Sequence, residues 1–306
     1  MRALKASASL LTLAVAVSGA VTMAALGDLG PDPASLAATA PSGLQGKKFL
    51  RAAALGDSIT LGINACGEAG ECRKVSWSTG NDGETQGFAA RIGEATGHQP
   101  DTGMLAGAGA RARDLPTQAA AAASGGADLV TILIGGNDAC APTLADMTPT
   151  ADYAASVKQA LTALDASPQK PVVFIASVPY LNGLLTAHSG SSAARHLWEK
   201  NHVCQSLLAN PSSSASADVQ RRAAVAARVN EYNSALAEQC AAASKCVFDG
   251  GAVATIDFTA EQISDVDFFH PSRAGQLAIA DAAWTALVDT LDHCELPPAL
   301  RKDFGC

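Results

Sequence analysis

The chain has no run of lysine or arginine longer than two residues. Its 21 Lys and Arg are outnumbered by 29 Asp and Glu, for a formal charge of −8. Nucleic acid and anionic membrane surfaces are bound through clustered positive charge, so neither is expected as a main partner. Cys-x-x-Cys pairs and histidine-rich spacings are missing, which leaves no pattern for a zinc site. The D-x-H and G-H-x-H ligand pairs of dimetal phosphoesterases are missing as well, so neither a metal nor another cofactor is expected. The apolar run from about Leu10 to Val17 is too short to span a bilayer comfortably. Internal repeats and any sign of a second domain are lacking.

What is present begins with an export pattern. Arg2 and Lys5 precede the apolar run, and Ser18, Gly19 and Ala20 follow it. Residues 1–26 are expected to be a signal peptide, with the cleavage point open between Ala20 and Ala25. Residues 27–45, rich in Ala, Pro, Gly and Ser, are expected to be a flexible leader. Residues 46–306 remain, about 260 residues, the size of a single α/β domain. Losing Arg2 and Lys5 with no acid takes the charge to −10. Eight cysteines in an exported chain suggest four disulfides. Their order invites sequential pairing, Cys66–Cys72, Cys140–Cys204, Cys240–Cys246 and Cys294–Cys306, out of about 105 possible connectivities. A secreted monomer with no membrane span after signal removal is expected.

Apolar strand-like runs alternate with helical patterns. Leu50–Leu55 precedes a helix near Gly87–Thr96, and Asp101–Leu105 precedes one after Asp114. DLVTILI (128–134) and PVVFIAS (171–177) are near-continuous apolar strands, with a helix near Ala151–Leu164 between them. A long helix over about Ala217–Ala242, a short strand at Cys246–Phe248 and a helix over about Pro271–Leu291 complete the pattern. Buried strands alternating with helices predict an α/β fold with a parallel sheet covered on both faces.

In such sheets ligands sit beyond the carboxyl ends of the strands. The polar oddities fall in that layer. "AALGDSITLG" (53–62) breaks an apolar strand with Asp57 and Ser58, Gly107 and Gly109 follow the second strand, and GGND (135–138) follows the third. "DVDFFHPS" (265–272) lies just before the last helix. A serine nucleophile needs a base, an orienting group for that base, and donors for the oxyanion. Ser58, read as standing at a helix start, offers its hydroxyl and its own N–H. His270 is the best base among the six histidines, and Asp267, three residues earlier, is placed to hold its tautomer. Asn137 offers a side-chain amide. Gly109 offers a backbone N–H, with Gly107 as the alternative.

These blocks resemble the SGNH (GDSL) hydrolases: GDS at 56–58, Gly109 in "AGAGARARDL", GGND at 135–138 and D-x-x-H at 267–270, in that order along the chain. "SWSTGND" (76–82) and "GGNDAC" are similar to the secreted bacterial and phospholipase-B-like branches. The resemblance implies a three-layer α/β/α sandwich of flavodoxin-like type. It also implies Ser58 as nucleophile, His270 as base, Asp267 as its partner, and an oxyanion hole from Ser58, Gly109 and Asn137. The activity implied is cleavage of carboxylic esters, of small molecules or lipids, by an esterase or lipase through an acyl-enzyme. A carbohydrate acetylesterase is the runner-up, and a non-catalytic secreted binding module a further alternative. In the excursion 178–216, Tyr180, Leu184, Leu185 and Trp198 are expected to line the substrate groove.

Overall fold

The computed structural model describes residues 41–306. The expected signal segment and the leader as far as residue 40 lie outside the described residues. The last stretch of that leader is packed, which corrects its expected extent. Leu44, 1% exposed, joins the hydrophobic core, so ordered packing starts ahead of residue 46. The surrounding Pro, Ser and Gly hide one well-anchored leucine.

Five parallel strands form the sheet: β1 (Arg51–Gly56), β2 (Asp101–Met104), β3 (Leu129–Leu133), β4 (Val172–Ile175) and β5 (Cys246–Phe248). Their order is β2-β1-β3-β4-β5, with Ala52 opposite Leu129 and Gly56 opposite Leu133. β3, at the centre, is buried along its whole length, and β1 from Ala52 onward. Such burial on both faces explains why these strands read as continuous apolar runs rather than alternating ones.

The helices in chain order are α1 (Phe88–Thr96), α2 (Leu115–Ser124), α3 (Gly136–Ala139), α4 (Thr150–Asp165), α5 (Gly183–His188), α6 (Ser192–Lys200), α7 (Gln205–Leu208), α8 (Ser216–Ala242), α9 (Arg273–Asp292) and α10 (Pro298–Arg301). α2, α4 and α8 pack side by side in one layer, and α1 packs with α9 in the other. The first layer is keyed by Tyr153 of α4 stacked on Tyr232 of α8 at 4.2 Å between ring centroids. In the second, Phe88 of α1 meets Phe174 of β4 at 4.4 Å and Trp284 of α9 at 6.2 Å. The result is the α/β class read from the sequence, three layers about a parallel sheet. The helix read as starting at Pro271 starts at Arg273, where Ser272 Oγ accepts the Gly275 N–H as an N-cap.

The cysteines are joined Cys66–Cys72, Cys140–Cys204, Cys240–Cys246 and Cys294–Cys306. Among the described residues no helix is long and apolar enough to cross a membrane.

Candidate active site

After β1 the chain goes to β2 on one side, and β3 then returns on the other, so the sheet order reverses between β1 and β3. Loops leaving the two strand ends diverge there and open a crevice. Ser58 stands two residues beyond β1, and Asn137 four residues beyond β3.

Gly56 makes the exit from β1 possible. Its φ is +143°, and a Cβ there would fall 2.2 Å from the Leu133 carbonyl oxygen. The Gln118 side chain clamps both its backbone groups, accepting from the N–H at 2.8 Å and donating to the C=O at 3.0 Å. No regular helix follows Ser58, contrary to the sequence reading. Residues 57–66 are a succession of turns, with Ile63 N–H donating to Ser58 O at 3.1 Å. The "SWSTGND" stretch braces these turns from below. Ser76 Oγ donates to Thr60 O, Trp77 Nε1 donates to Thr60 Oγ1, and Gln276 of α9 donates to Ile59 O.

His270 Nε2 lies 2.8 Å from Ser58 Oγ, and His270 Nδ1 lies 2.5 Å from Asp267 Oδ2. Asp267 Oδ1 accepts the Phe269 and His270 N–H groups, each at 3.0 Å. Asn64 adds a fourth donor, its amide reaching Oδ2 at 2.7 Å. Burial pushes the Asp267 carboxyl up, but His270 and these N–H groups outweigh it and hold the carboxyl below its ordinary range. Phe268 has φ +52°, and its C=O accepts from Trp198 Nε1 at 3.1 Å.

On the β3 side, Asn137 Nδ2 donates to Ala110 O at 3.0 Å through one of its two N–H bonds. Asp138 Oδ2 accepts the Ala112 N–H at 3.0 Å, so GGND is tied twice to the loop after β2. Burial raises the Asp138 carboxyl above its ordinary value. It raises Asp57 to about 7 against the Ile59 N–H, which lowers it. In the loop after β2, Gly107 N–H is spent on Gly56 O at 3.1 Å. Among the described residues the N–H groups of Gly109 (φ +75°) and Ser58 have no protein partner. The spacing to Leu115 in the sequence favours Gly109 over Gly107; the spent N–H of Gly107 is visible only in the fold. Ser58, Asn137 and His270 thus face one cavity, with Asp267 held behind the imidazole.

Of the residues read as a substrate groove, Tyr180 and Leu184 line a small cavity with Ser58, Asn137 and His270. The structure does not bring Leu185 or Trp198 there. Trp198 is fully buried and holds the Phe268 carbonyl, because its large apolar ring is more stable under the loop than on a wetted wall. Leu181 of the same apolar excursion joins Tyr180 and Leu184, and Phe258, Ile263 and Phe269 line the cavity too and were missed. Phe269 was findable from its place beside His270; Phe258 and Ile263 had no local signal. Asn64 was missed too, with only its closeness to Ser58 as a hint. A larger open groove of about 1130 Å³ lies beside β5, between α8 and α9, and none of the crevice residues lines it.

A family model described as the GDSL-like lipase/acylhydrolase family matches residues 54–278. No curated protein matches the chain in sequence. Among solved structures, an extracellular lipase from Streptomyces rimosus is 19% identical, with 78% of this chain and 99% of that one covered and a TM-score of 0.44. A family 3 carbohydrate esterase from Clostridium thermocellum is 16% identical, with 81% and 99% covered and a TM-score of 0.47. A phospholipase A1 from Streptomyces albidoflavus is 18% identical, with 78% and 100% covered and a TM-score of 0.41.

Proposed function

The chain belongs to the GDSL-like lipase/acylhydrolase family, and from that premise we propose that it is a secreted serine hydrolase of carboxylic esters. Ser58 is the nucleophile, His270 the general base and acid, and Asp267 the group that orients the imidazole. The single observation that carries this reading is the 2.8 Å approach of His270 Nε2 to Ser58 Oγ, with Asp267 bound to the other ring nitrogen.

The chemistry runs in two halves. Ser58 Oγ attacks the ester carbonyl carbon as its proton passes to His270 Nε2, and the carbonyl π pair moves onto oxygen. That oxyanion sits among the free N–H groups of Ser58 and Gly109 and the second N–H of Asn137. The Asn137 amide and the loop carrying Gly109 are held to each other by the ties to Ala110 O and from the Ala112 N–H, so these donors need little rearrangement as charge develops. The C–O bond to the alcohol breaks, and His270 returns its proton to the leaving oxygen. In the second half, water attacks the acyl-serine and loses a proton to His270. Collapse releases the carboxylic acid and restores the Ser58 hydroxyl. Asp267 keeps the imidazole aimed through both halves and stays ionised.

Four disulfides support action outside the reducing cytoplasm. Ser58→Ala tests the reading. We expect it to retain native circular dichroism, to lose essentially all ester hydrolysis, and to escape labelling by a fluorophosphonate that modifies the wild type. Activity near the wild-type level in a folded Ser58→Ala protein would overturn the assignment.

A further inference from the structure

The cavity beside Ser58 measures about 40 Å³ and is walled by the side chains of Leu181, Leu184, Phe258, Ile263 and Phe269, with Tyr180 at its mouth. A water-sized group needs about 10–15 Å³ of such space, so the cavity takes about three carbon-sized groups. The five wall side chains are hydrocarbon. Its polar side chains are Ser58, Asn137 and His270, gathered at the reacting end, and Tyr180, which is 44% exposed. A sugar or glycerol hydroxyl moved among the five apolar walls, away from that end, would leave water and find no side-chain partner there, which disfavours the alcohol half of a polar ester in this space. An alkyl group meets no such cost.

Resting on the serine-hydrolase reading above, we infer that this cavity is the acyl site and that it admits acyl groups of about two to four carbons. The protein is then a short-acyl esterase rather than a long-chain lipase, and the alcohol half stays on the open side of Ser58.

The walls resist widening. Leu181, Leu184, Phe258 and Ile263 are each at most 7% exposed and belong to the main core. Val178, at the root of the wall, has both backbone groups held by Asn233, whose Oδ1 accepts at 2.7 Å and whose Nδ2 donates at 3.1 Å. Ile263 is bridged to Pro271, the residue after His270. Cys140–Cys204 closes the whole 64-residue span that carries Tyr180, Leu181 and Leu184. Extra methylenes pushed into a close-packed wall force side chains off their rotamers, so a longer chain binds poorly.

The test is a series of p-nitrophenyl esters, from acetate through butyrate, hexanoate and octanoate to dodecanoate, with Ser58→Ala as the blank. We expect kcat/KM to be greatest at acetate or butyrate and about tenfold or more lower at octanoate. Leu184→Ala enlarges the cavity and should raise the octanoate-to-butyrate ratio about tenfold. Phe258→Ala asks the same question at a second wall residue should the first variant fold poorly, and Leu184→Trp should narrow the preference towards acetate. A wild-type kcat/KM that holds level or rises through octanoate overturns the short-acyl assignment while leaving Ser58 as nucleophile. Absence of Ser58-dependent hydrolysis at every chain length overturns the serine-hydrolase reading, and this one with it.

Discussion

Asn64 and Asp267, 203 positions apart in the chain, meet side chain to side chain, the amide donating to Asp267 Oδ2 at 2.7 Å. The other three donors to that carboxylate come from residues 269 and 270. Asn64 alone reaches it from the loop that carries Ser58, so it couples that loop to the one carrying Asp267 and His270. Its own position is held firmly. The backbone sits at φ +58°, a conformation asparagine tolerates, and the side-chain oxygen accepts the Gly70 N–H at 2.9 Å. Ser264 Oγ donates to its C=O at 2.7 Å, and Cys66–Cys72 closes the loop behind it.

Asn64→Asp keeps the backbone preference and the acceptor for Gly70, but sets a second carboxylate against Asp267. We expect kcat to fall by about 10- to 100-fold as the acid and imidazole lose their aim, with KM little changed. The acid limb of the kcat/KM pH profile should move to higher pH, because added negative charge favours the imidazolium. A purely structural role would leave that limb in place. An unshifted limb with wild-type kcat would remove Asn64 from the machinery.

Asn137 is expected to act on the transition state. Losing one oxyanion donor costs about 10²–10³ in kcat. Asn137→Ala should reach the upper part of that range, because it also frees Ala110 O and with it the Gly109 loop. Steady-state kinetics decide the matter: a large rise in KM with kcat intact would make Asn137 a ground-state binding group instead.

Cys140–Cys204 joins the chain just after GGND to the far part of the excursion that carries Leu184, and Ser206 laces the same place. Its Oγ donates to Ala139 O at 2.7 Å and accepts the Ala141 N–H at 3.1 Å. Closing this loop is worth about 4 kcal/mol on the chain-entropy account. In Cys140→Ala/Cys204→Ala we expect hydrolysis to fail on heating before the far-UV signal does, since donors must be held to a fraction of an ångström. Coincident loss of activity and ellipticity would mean the bridge only stabilises the fold.

Asp57 lies beneath the nucleophile, 1% exposed, with its carboxyl pushed up by burial to about 7 from 3.8. Between those values the folded chain holds a proton that the unfolded chain has released. Its contribution to stability is therefore full below pH 3.8, falls as pH rises, and is lost above about 7. Asp57→Asn stays neutral and keeps an acceptor for the Ile59 N–H. The melting temperature of Asp57→Asn relative to wild type should climb between about pH 4 and about pH 7 and level off above that. Parallel curves over that interval would show that Asp57 does not titrate there.

Much of the frame was legible in one dimension. Strand and helix patterns are local, because burial on both faces writes apolar runs and a single buried stripe writes a 3.6-residue period. Those patterns carried the layered parallel sheet, and the rule that ligands sit beyond the strands' carboxyl ends carried Ser58, Asn137 and His270 to one edge. Asp267 followed from its three-residue spacing to His270.

What the tertiary structure decided is what depends on which side chain faces which across the layers. Trp198 and Leu184 look alike as apolar residues of one excursion, yet one is buried under Phe268 and the other walls the cavity. Gly107 spends its N–H on Gly56 O, whereas Gly109 sits at φ +75° with its N–H unpartnered among the described residues. Leu44 is anchored although its neighbours read as a loose leader. The sequence by itself determined the elements, their order and the chemistry at their ends, because those follow from local propensity and periodicity. The Asn64–Asp267 contact and the size of the cavity beside Ser58 were decided only on folding, because they depend on how residues far apart in the chain pack to fill one shared space.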